Sequence, residues 1–323
     1  MYRGIGINVD GEFVDGDLRT LARLLERAAA VGFQAVELST GTCNAIRGGQ
    51  LDERELARVR EVVGQYPVRC TVHAPCPLDL TRHPELAAQV MESTLRLAAG
   101  LGAHVVVYHS AQIALHQASL GLAALPGERE LAERWQRETE ALRHFARRAA
   151  DLGLLIAVEN RDPHLWEVAA LARHGRTAAD LLHYHQGMDL DRLCQQVAEV
   201  DSPHVGLCLD VGHAFLAAPY WPEPDYLAAV RRAAPWVRHL HLHDNFGRLD
   251  DVAESLADRL AFGQADNHLP PGWGRIPLGE TLAALAQAGY AGWVIAEIRP
   301  RYQAYYEEVL ASTRALCAAA WPA

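Results

Sequence analysis

Six short apolar runs end in, or carry near their end, a group able to bind a metal: His73, His109, Glu159, Asp210, His241 and Glu297. The run around His241 is the densest. In an extended strand successive side chains point to opposite faces, so His239, His241 and His243 share one face while Leu240 and Leu242 share the other. Two local carboxylate and imidazole pairs accompany them, Asp210 with His213 in Asp-Val-Gly-His and Asp266 with His268 in Asp-Asn-His. Any one of these groups alone is ordinarily a hydrogen-bonded core histidine or a solvated loop carboxylate. Packed together without a cation they would repel or stay unsatisfied, so their recurrence at one relative position points to a metal centre. Mixed imidazole and carboxylate donors suit zinc, manganese, iron or cobalt better than calcium.

The elements that must bring these groups together follow a repeated rhythm. Apolar runs at 5–9, 33–38, 68–73, 104–109, 154–159, 205–210, 237–243 and 293–297 read as strands. Helical spacing of leucine, valine and alanine predicts a helix from the Asp17 cap to the Gly32 stop, and others near 52–65, 84–102, 128–152, 190–200, 225–234, 279–288 and 302–319. Eight such units predict an α/β fold, a parallel (β/α)8 barrel that takes residues 1–323 as a single domain. The strand ends of such a barrel converge on one mouth, where residues distant in sequence become neighbours. The stretches 111–127, 161–188 and 245–276 are read as connections, with helix only around 177–185, and are expected to form a specificity lid.

Composition narrows the chemistry. The 323-residue chain has 40 acidic and 30 basic residues, a formal charge of -10 at pH 7, and half of its residues are apolar. An acidic chain without a basic run holds DNA or an anionic membrane poorly by non-specific attraction, which disfavours nucleic acid and favours a small carbohydrate or phosphorylated substrate. All 30 basic residues are arginine. Without a lysine amine, Schiff-base aldolase chemistry, pyridoxal phosphate attachment and the P-loop are excluded. The N-terminus runs straight into a strand, no apolar stretch approaches a membrane span, and the six cysteines contain no CxxC pair. Together these predict a cytoplasmic protein with reduced thiols and no membrane partner, and they leave room for a homo-oligomer.

The chain resembles the xylose isomerase-like superfamily of TIM barrels, which includes the endonuclease IV group and many sugar isomerases and epimerases. The likeness runs from Gly32-Phe33 and Val36-Glu37-Leu38 through Val158-Glu159-Asn160, Asp210-Val211-Gly212-His213 and His241-Leu242-His243-Asp244 to the Asp266 loop and Glu297. Sugar isomerases and epimerases of that superfamily hold one divalent metal with a Glu, Asp, His, Glu set, which falls on Glu159, Asp210, His241 and Glu297. Endonuclease IV-like members hold three zinc ions. That resemblance implies His73, His109 and Glu159 around one ion, Glu159, Asp210, His241 and Glu297 around a second, and His213, Asp266 and His268 around a third. The expected cofactor is therefore one to three divalent ions.

Two mechanisms follow from the resemblance. In an isomerase or epimerase the metal polarises a carbonyl and hydroxyl pair of a sugar, Glu159 and Glu297 exchange the proton as base and acid through an enediolate, and His213 holds a sugar oxygen. In a phosphoester hydrolase several metals activate a water, and His213 joins Asp266 and His268 as a ligand. The acidic charge and the missing basic recognition loop depart from the DNA enzymes and favour the first mechanism. A non-catalytic sugar-binding barrel is the third reading.

The remaining candidates have plainer roles. His239 and His243 are read as supports for His241, since one strand offers one position at ligand height, and Asp244 as a rim residue or a support behind the ligands. His183, His185, His116, His144, His164 and His174 are expected on the surface. A substrate contact is the less favoured reading of Glu37. Trp166 and Trp273 are placed to stack on a ligand or to pack their loops. Arg161, Arg248 and Arg299 follow strand ends, where they could grip a phosphate or stay solvated.

Overall fold

Alternation along the strands decides which residues reach the site. In the computed structural model, which describes residues 1–111, 115–249 and 256–322, eight parallel strands form a closed barrel. They are β1 (Gly4–Val9), β2 (Ala35–Ser39), β3 (Arg69–His73), β4 (Val105–His109), β5 (Leu155–Glu159), β6 (Val205–Asp210), β7 (Val237–Leu242) and β8 (Trp293–Ala296). Each pairs with the next, and β8 closes onto β1 with Gly4 beside Trp293. Outward residues such as Val106, Ile156, Leu207 and Leu240 join the large core beneath the helices, whereas Val105, Val107, Ala157 and Cys208 form a separate small cluster. The period of two then carries His109, Glu159 and Asp210 to the inward face at the strand ends. Burying each outward leucine or isoleucine stabilises the fold by about 1.5–3 kcal/mol, which holds those ends in place.

The helices are α1 (Leu18–Val31), α2 (Glu53–Val63), α3 (Pro84–Gly100), α4 (Glu128–Leu152), α5 (Leu190–Val200), α6 (Tyr226–Ala233), α7 (Leu278–Gln287) and α8 (Tyr306–Ala320). Their starts are written in short polar side chains. Asp17, Asp52, Asp189 and Asp225 each accept a hydrogen bond from a backbone N–H of the first turn. Gly32 ends α1 and Gly153 ends α4 in the left-handed region, at φ 101° and 67°, where a Cβ would be strained. The expected α/β barrel is present, with most element ends shifted by a residue or two and the last α-helix starting at Tyr306 after a 3-10 stretch over Pro300–Tyr305.

Short elements escape the sequence reading. Gly11–Val14 and Thr40–Cys43 are single helical turns, and Ile46–Arg47 pairs with Gln50–Leu51 in a small hairpin. Each is too short to display a period. The connection 161–188 is more ordered than expected, because Leu165–Arg173 is helical as well as Leu181–Tyr184. Among the described residues no helix is long and apolar enough to cross a membrane.

Candidate metal centre

All nine sequence candidates meet at the mouth of the barrel. Glu159, at the end of β5, stands in the middle: its Oε2 lies 3.1 Å from His73 Nε2 and 2.9 Å from His109 Nε2, and its Oε1 lies 3.0 Å from His241 Nδ1. The same His241 nitrogen is 2.9 Å from Glu297 Oε2 and 3.8 Å from Asp210 Oδ2. A third group brings His213 Nε2 to 3.6 Å from Asp266 Oδ2, which also touches His268 Nε2. Glu159, Asp210 and His241 are fully buried.

The ring nitrogens are sorted by what their other side touches. His73 Nδ1 donates to the Ala74 carbonyl at 2.6 Å, His213 Nδ1 to the Asn160 carbonyl at 2.9 Å, and His268 Nδ1 to the Glu297 carbonyl at 3.0 Å. A carbonyl oxygen only accepts, so each Nδ1 carries the proton and each Nε2 is left to face a carboxylate. Two electron-rich atoms face each other there unless a positive charge stands between them. This is how metal-ligating histidines are ordinarily oriented, and the donor set fits a divalent cation. Glu297 Oε2 is a buried atom without a hydrogen-bond partner, in keeping with a ligand position.

Electrostatics point the same way. Burial alone would raise the carboxylates, but the imidazoles of His109 and His241 hold Glu159 well below the usual carboxylate range, and those of His241 and His268 do the same for Glu297. Burial lowers His73, yet its hydrogen bond and attraction to Glu159 push it up to about 10. Its neighbour His109 is pushed down to about 4 by burial, so in the metal-free protein one proton, between His73 and Glu159, takes the place that a cation would fill. The carboxylates around His213 and His241 in turn raise those imidazoles, so without a metal the cluster balances its carboxylates with protons, a charge that a cation could supply instead.

Supporting groups fix this arrangement. Glu37 Oε1 lies 2.7 Å from His241 Nε2, and Glu37 Oε2 lies 2.8 Å from His239 Nε2 and accepts from the Thr71 hydroxyl at 2.8 Å. His243 Nε2 sits 3.0 Å from both oxygens of Asp210 and stacks on His268 with centroids 4.1 Å apart. His239 and His243 thus face the same interior as His241 and bond to carboxylates, as expected of supports. Asn160, missed as a functional residue, donates to the Asp210 carbonyl at 3.0 Å and accepts from the Asp210 N–H at 2.8 Å, locking β5 to β6. Asp210 also caps Val211–Ala217 by accepting from the His213 N–H at 2.7 Å, which sets the three-residue spacing of the Asp-Val-Gly-His motif. Asp244 is buried and accepts from the N–H groups of Asn245, Gly272 and Ile276, so of its two expected places it takes the supporting one and organises the following loop.

A cavity of about 1050 Å³ opens onto the cluster and includes His73, His109, His213, His268 and Glu297 in its lining. Its outer wall comes from the segments after β1, β2 and β3, including Asp10, Asn44, Ile46, Cys76, Arg82 and Leu86. The predicted lid is therefore corrected: His268 is the contribution of 245–276, and 161–188 supplies none of the lining. Residues 112–114 and 250–255 of the predicted lid lie outside the described residues, as does the side chain of His116.

Other expectations also change. His185 is buried, not on the surface, with Nδ1 3.0 Å from Glu167 Oε1, because the added helix Leu165–Arg173 covers it. His183 is exposed beside Glu128, and His144 and His174 are exposed as expected. Glu37 has both oxygens occupied by protein. Trp273 donates to Glu308 at 2.8 Å and packs edge-on to Tyr302 and Tyr305, which is the loop-packing role. Arg161, Arg248 and Arg299 each spend part of the guanidinium on backbone carbonyls, those of Ser110, Phe262 and Asp266.

Comparison with known proteins agrees with this architecture. An uncharacterised protein of Mycobacterium tuberculosis (strain ATCC 25618 / H37Rv) is 27% identical over 278 residues, 84% of this chain and 82% of that protein. The fructoselysine 3-epimerase of Escherichia coli O157:H7 is 26% identical over 148 residues, 45% of this chain and 53% of that enzyme. Among solved structures, a D-tagatose 3-epimerase-like protein shares the fold with a TM-score of 0.65 at 20% identity, across 97% of this chain and 98% of that one. The sequence model of the xylose isomerase-like TIM barrel matches residues 25–316, and this protein belongs to that family.

Proposed function

We propose that the protein is a divalent-metal-dependent sugar epimerase or isomerase. The observation that carries this reading is the meeting of Glu159 and Glu297 at His241 Nδ1, at 3.0 and 2.9 Å, with Glu297 lining a cavity large enough for a sugar. Glu159, Asp210, His241 and Glu297 would hold the ion, with zinc, manganese, iron and cobalt the metals suited to such donors. Bound there, a divalent ion acidifies a sugar C–H beside a carbonyl. The protein's own part is the movement of that proton. Glu159 and Glu297 reach the centre from opposite sides of β7 around the barrel and are held ionised, so one can accept the proton while the other returns it. His213, oriented by the Asn160 carbonyl, presents Nε2 to a sugar oxygen. Names of relatives that act on sugars, fructoselysine 3-epimerase among them, support the substrate class.

The hydrolase reading keeps one specific support, the separate grouping of His213, Asp266 and His268 beside the central carboxylates. Proton exchange distinguishes the two. Metal-loaded protein in deuterated water is incubated with a panel of ketoses and followed by NMR for loss of a C–H signal. Exchange that disappears in Glu159→Gln and Glu297→Gln is the expected result. Cleavage of small phosphodiesters or incised abasic DNA without exchange would overturn the epimerase reading, as would sugar binding with neither activity. Exchange that persists in Glu159→Gln would remove the site assignment itself.

A further inference from the structure

We propose that Cys76 adds a thiolate to the ligand set of His73, His109 and Glu159 and makes that site zinc-selective. The donor atoms of His73, Cys76 and His109 lie within 4.8 Å of one another. Both histidine nitrogens already face one oxygen of Glu159, at 3.1 and 2.9 Å. The Nδ1 proton of His73 is committed to the Ala74 carbonyl, so a metal arriving at Nε2 has only the proton shared with Glu159 to displace. Zinc bonds of about 2.3 Å to sulfur and about 2.0 Å to nitrogen place tetrahedral donors about 3.5 Å apart. Binding therefore has to draw donors that lie within 4.8 Å of one another closer together, and Cys76 is the exposed member of the group.

The local backbone holds Cys76 for this purpose. Pro75 and Pro77 flank it and fix φ on either side. The Leu78 N–H closes a turn onto the Pro75 carbonyl at 2.8 Å. Arg161 donates through Nε to the carbonyl of Ser110, the residue after His109, at 2.6 Å, and through Nη2 to the Cys76 carbonyl at 3.4 Å. One guanidinium thereby ties the segment after β3 to the end of β4 and keeps the thiol beside His109.

Donor chemistry sets the selectivity. A soft thiolate with two imidazoles prefers zinc to manganese or magnesium, whereas Glu159, Asp210 and Glu297 give the central set a harder, oxygen-rich character. Binding converts the Cys76 thiol to a zinc-bound thiolate and releases its proton to water. Glu159 serves both sets, so zinc at the wall site holds the oxygen opposite the one that faces His241. Cys208 also lies near His241, but it is buried inside the barrel and burial pushes its thiol far above the ordinary value, which leaves it a protonated packing group.

The proposal rests on the metal reading of the mouth and not on the reaction, and its test separates the two. Chelator-treated full-length protein is titrated with Co²⁺ while the near-ultraviolet sulfur-to-cobalt band and the visible d–d bands are recorded. The expected result is a sulfur band in the wild type that is lost in Cys76→Ser while other cobalt bands remain. A sulfur band that survives Cys76→Ser and vanishes in Cys208→Ser would overturn the assignment, and cobalt bound without any sulfur band would refute Cys76 while leaving the oxygen-rich centre intact. Failure to bind cobalt at all would remove both. On unmutated protein, Zn²⁺ should protect Cys76 from a thiol reagent, located by peptide mapping; equal labelling with and without Zn²⁺ would also reject the site.

Discussion

Replacing Glu37 with glutamine tests whether a buried carboxylate behind His241 governs the metal. Glu37 is 2% exposed and holds His241 Nε2 at 2.7 Å and His239 Nε2 at 2.8 Å. Glutamine matches its shape but presents one oxygen and one NH2 group, so one of the two imidazole contacts must be lost or reversed. A hydrogen bond to a charged group contributes about 1.5–3 kcal/mol. Removal of a partner behind a metal-ligating histidine typically weakens the metal about 10–100-fold. At about 1.4 kcal/mol per factor of ten, that loss is about 1.4–2.8 kcal/mol, and the two figures agree. Chelator competition on purified Glu37→Gln and wild type measures the affinity ratio directly, and melting of the metal-free forms measures the folding cost. A metal affinity within twofold of wild type would refute the view that Glu37 sets the orientation of His241.

Two further substitutions probe the packing around the site and the region behind it. At Gly212 an added Cβ would run into His243 Cε1 and come within 2.8 Å of its Nε2, so Gly212→Ala should cost about 1–3 kcal/mol by overpacking and push His243 off Asp210. Metal analysis should show reduced content, and wild-type content would contradict this reason for the glycine. Burial raises Glu167, but the charge and hydrogen bond of His185 bring it below its ordinary 4.5. A depressed carboxylate stabilises the fold above the unfolded value and loses that contribution as the pH falls through the folded one. Glu167→Gln, which loses the carboxylate's hydrogen bonds, should therefore cost about 1.5–3 kcal/mol near neutral pH, with the deficit shrinking below about pH 4.5 in denaturant titrations. A deficit that does not change with pH would exclude the ion pair as its origin.

Much of the site was legible before any coordinates because barrel strands encode direction in their parity. The run Val105–His109 is four apolar residues and one histidine, and its last position can only be an inward, mouth-facing one once the strand is in a parallel barrel. The same logic placed Glu159, Asp210 and Glu297, and it separated His241 from its leucine neighbours. The helix start at Asp17 was equally plain, because a cap is a local matter of one side chain and the N–H groups just ahead of it.

What the sequence could not supply were facts about contact. His185 looked like a surface histidine because nothing in its own helix announces the second helix that covers it. The cavity wall lay in segments too short for any period, Gly11–Val14, Thr40–Cys43 and the hairpin beyond, so the longer loops drew attention instead. Glu37 is 202 residues from His239 in the chain, and only closure of β8 onto β1 brings the first strands round to β7. Residue type and parity determined which groups face inward. Closure of the barrel decided which of them share a proton, which orient another, and which leave a lone pair open for a metal.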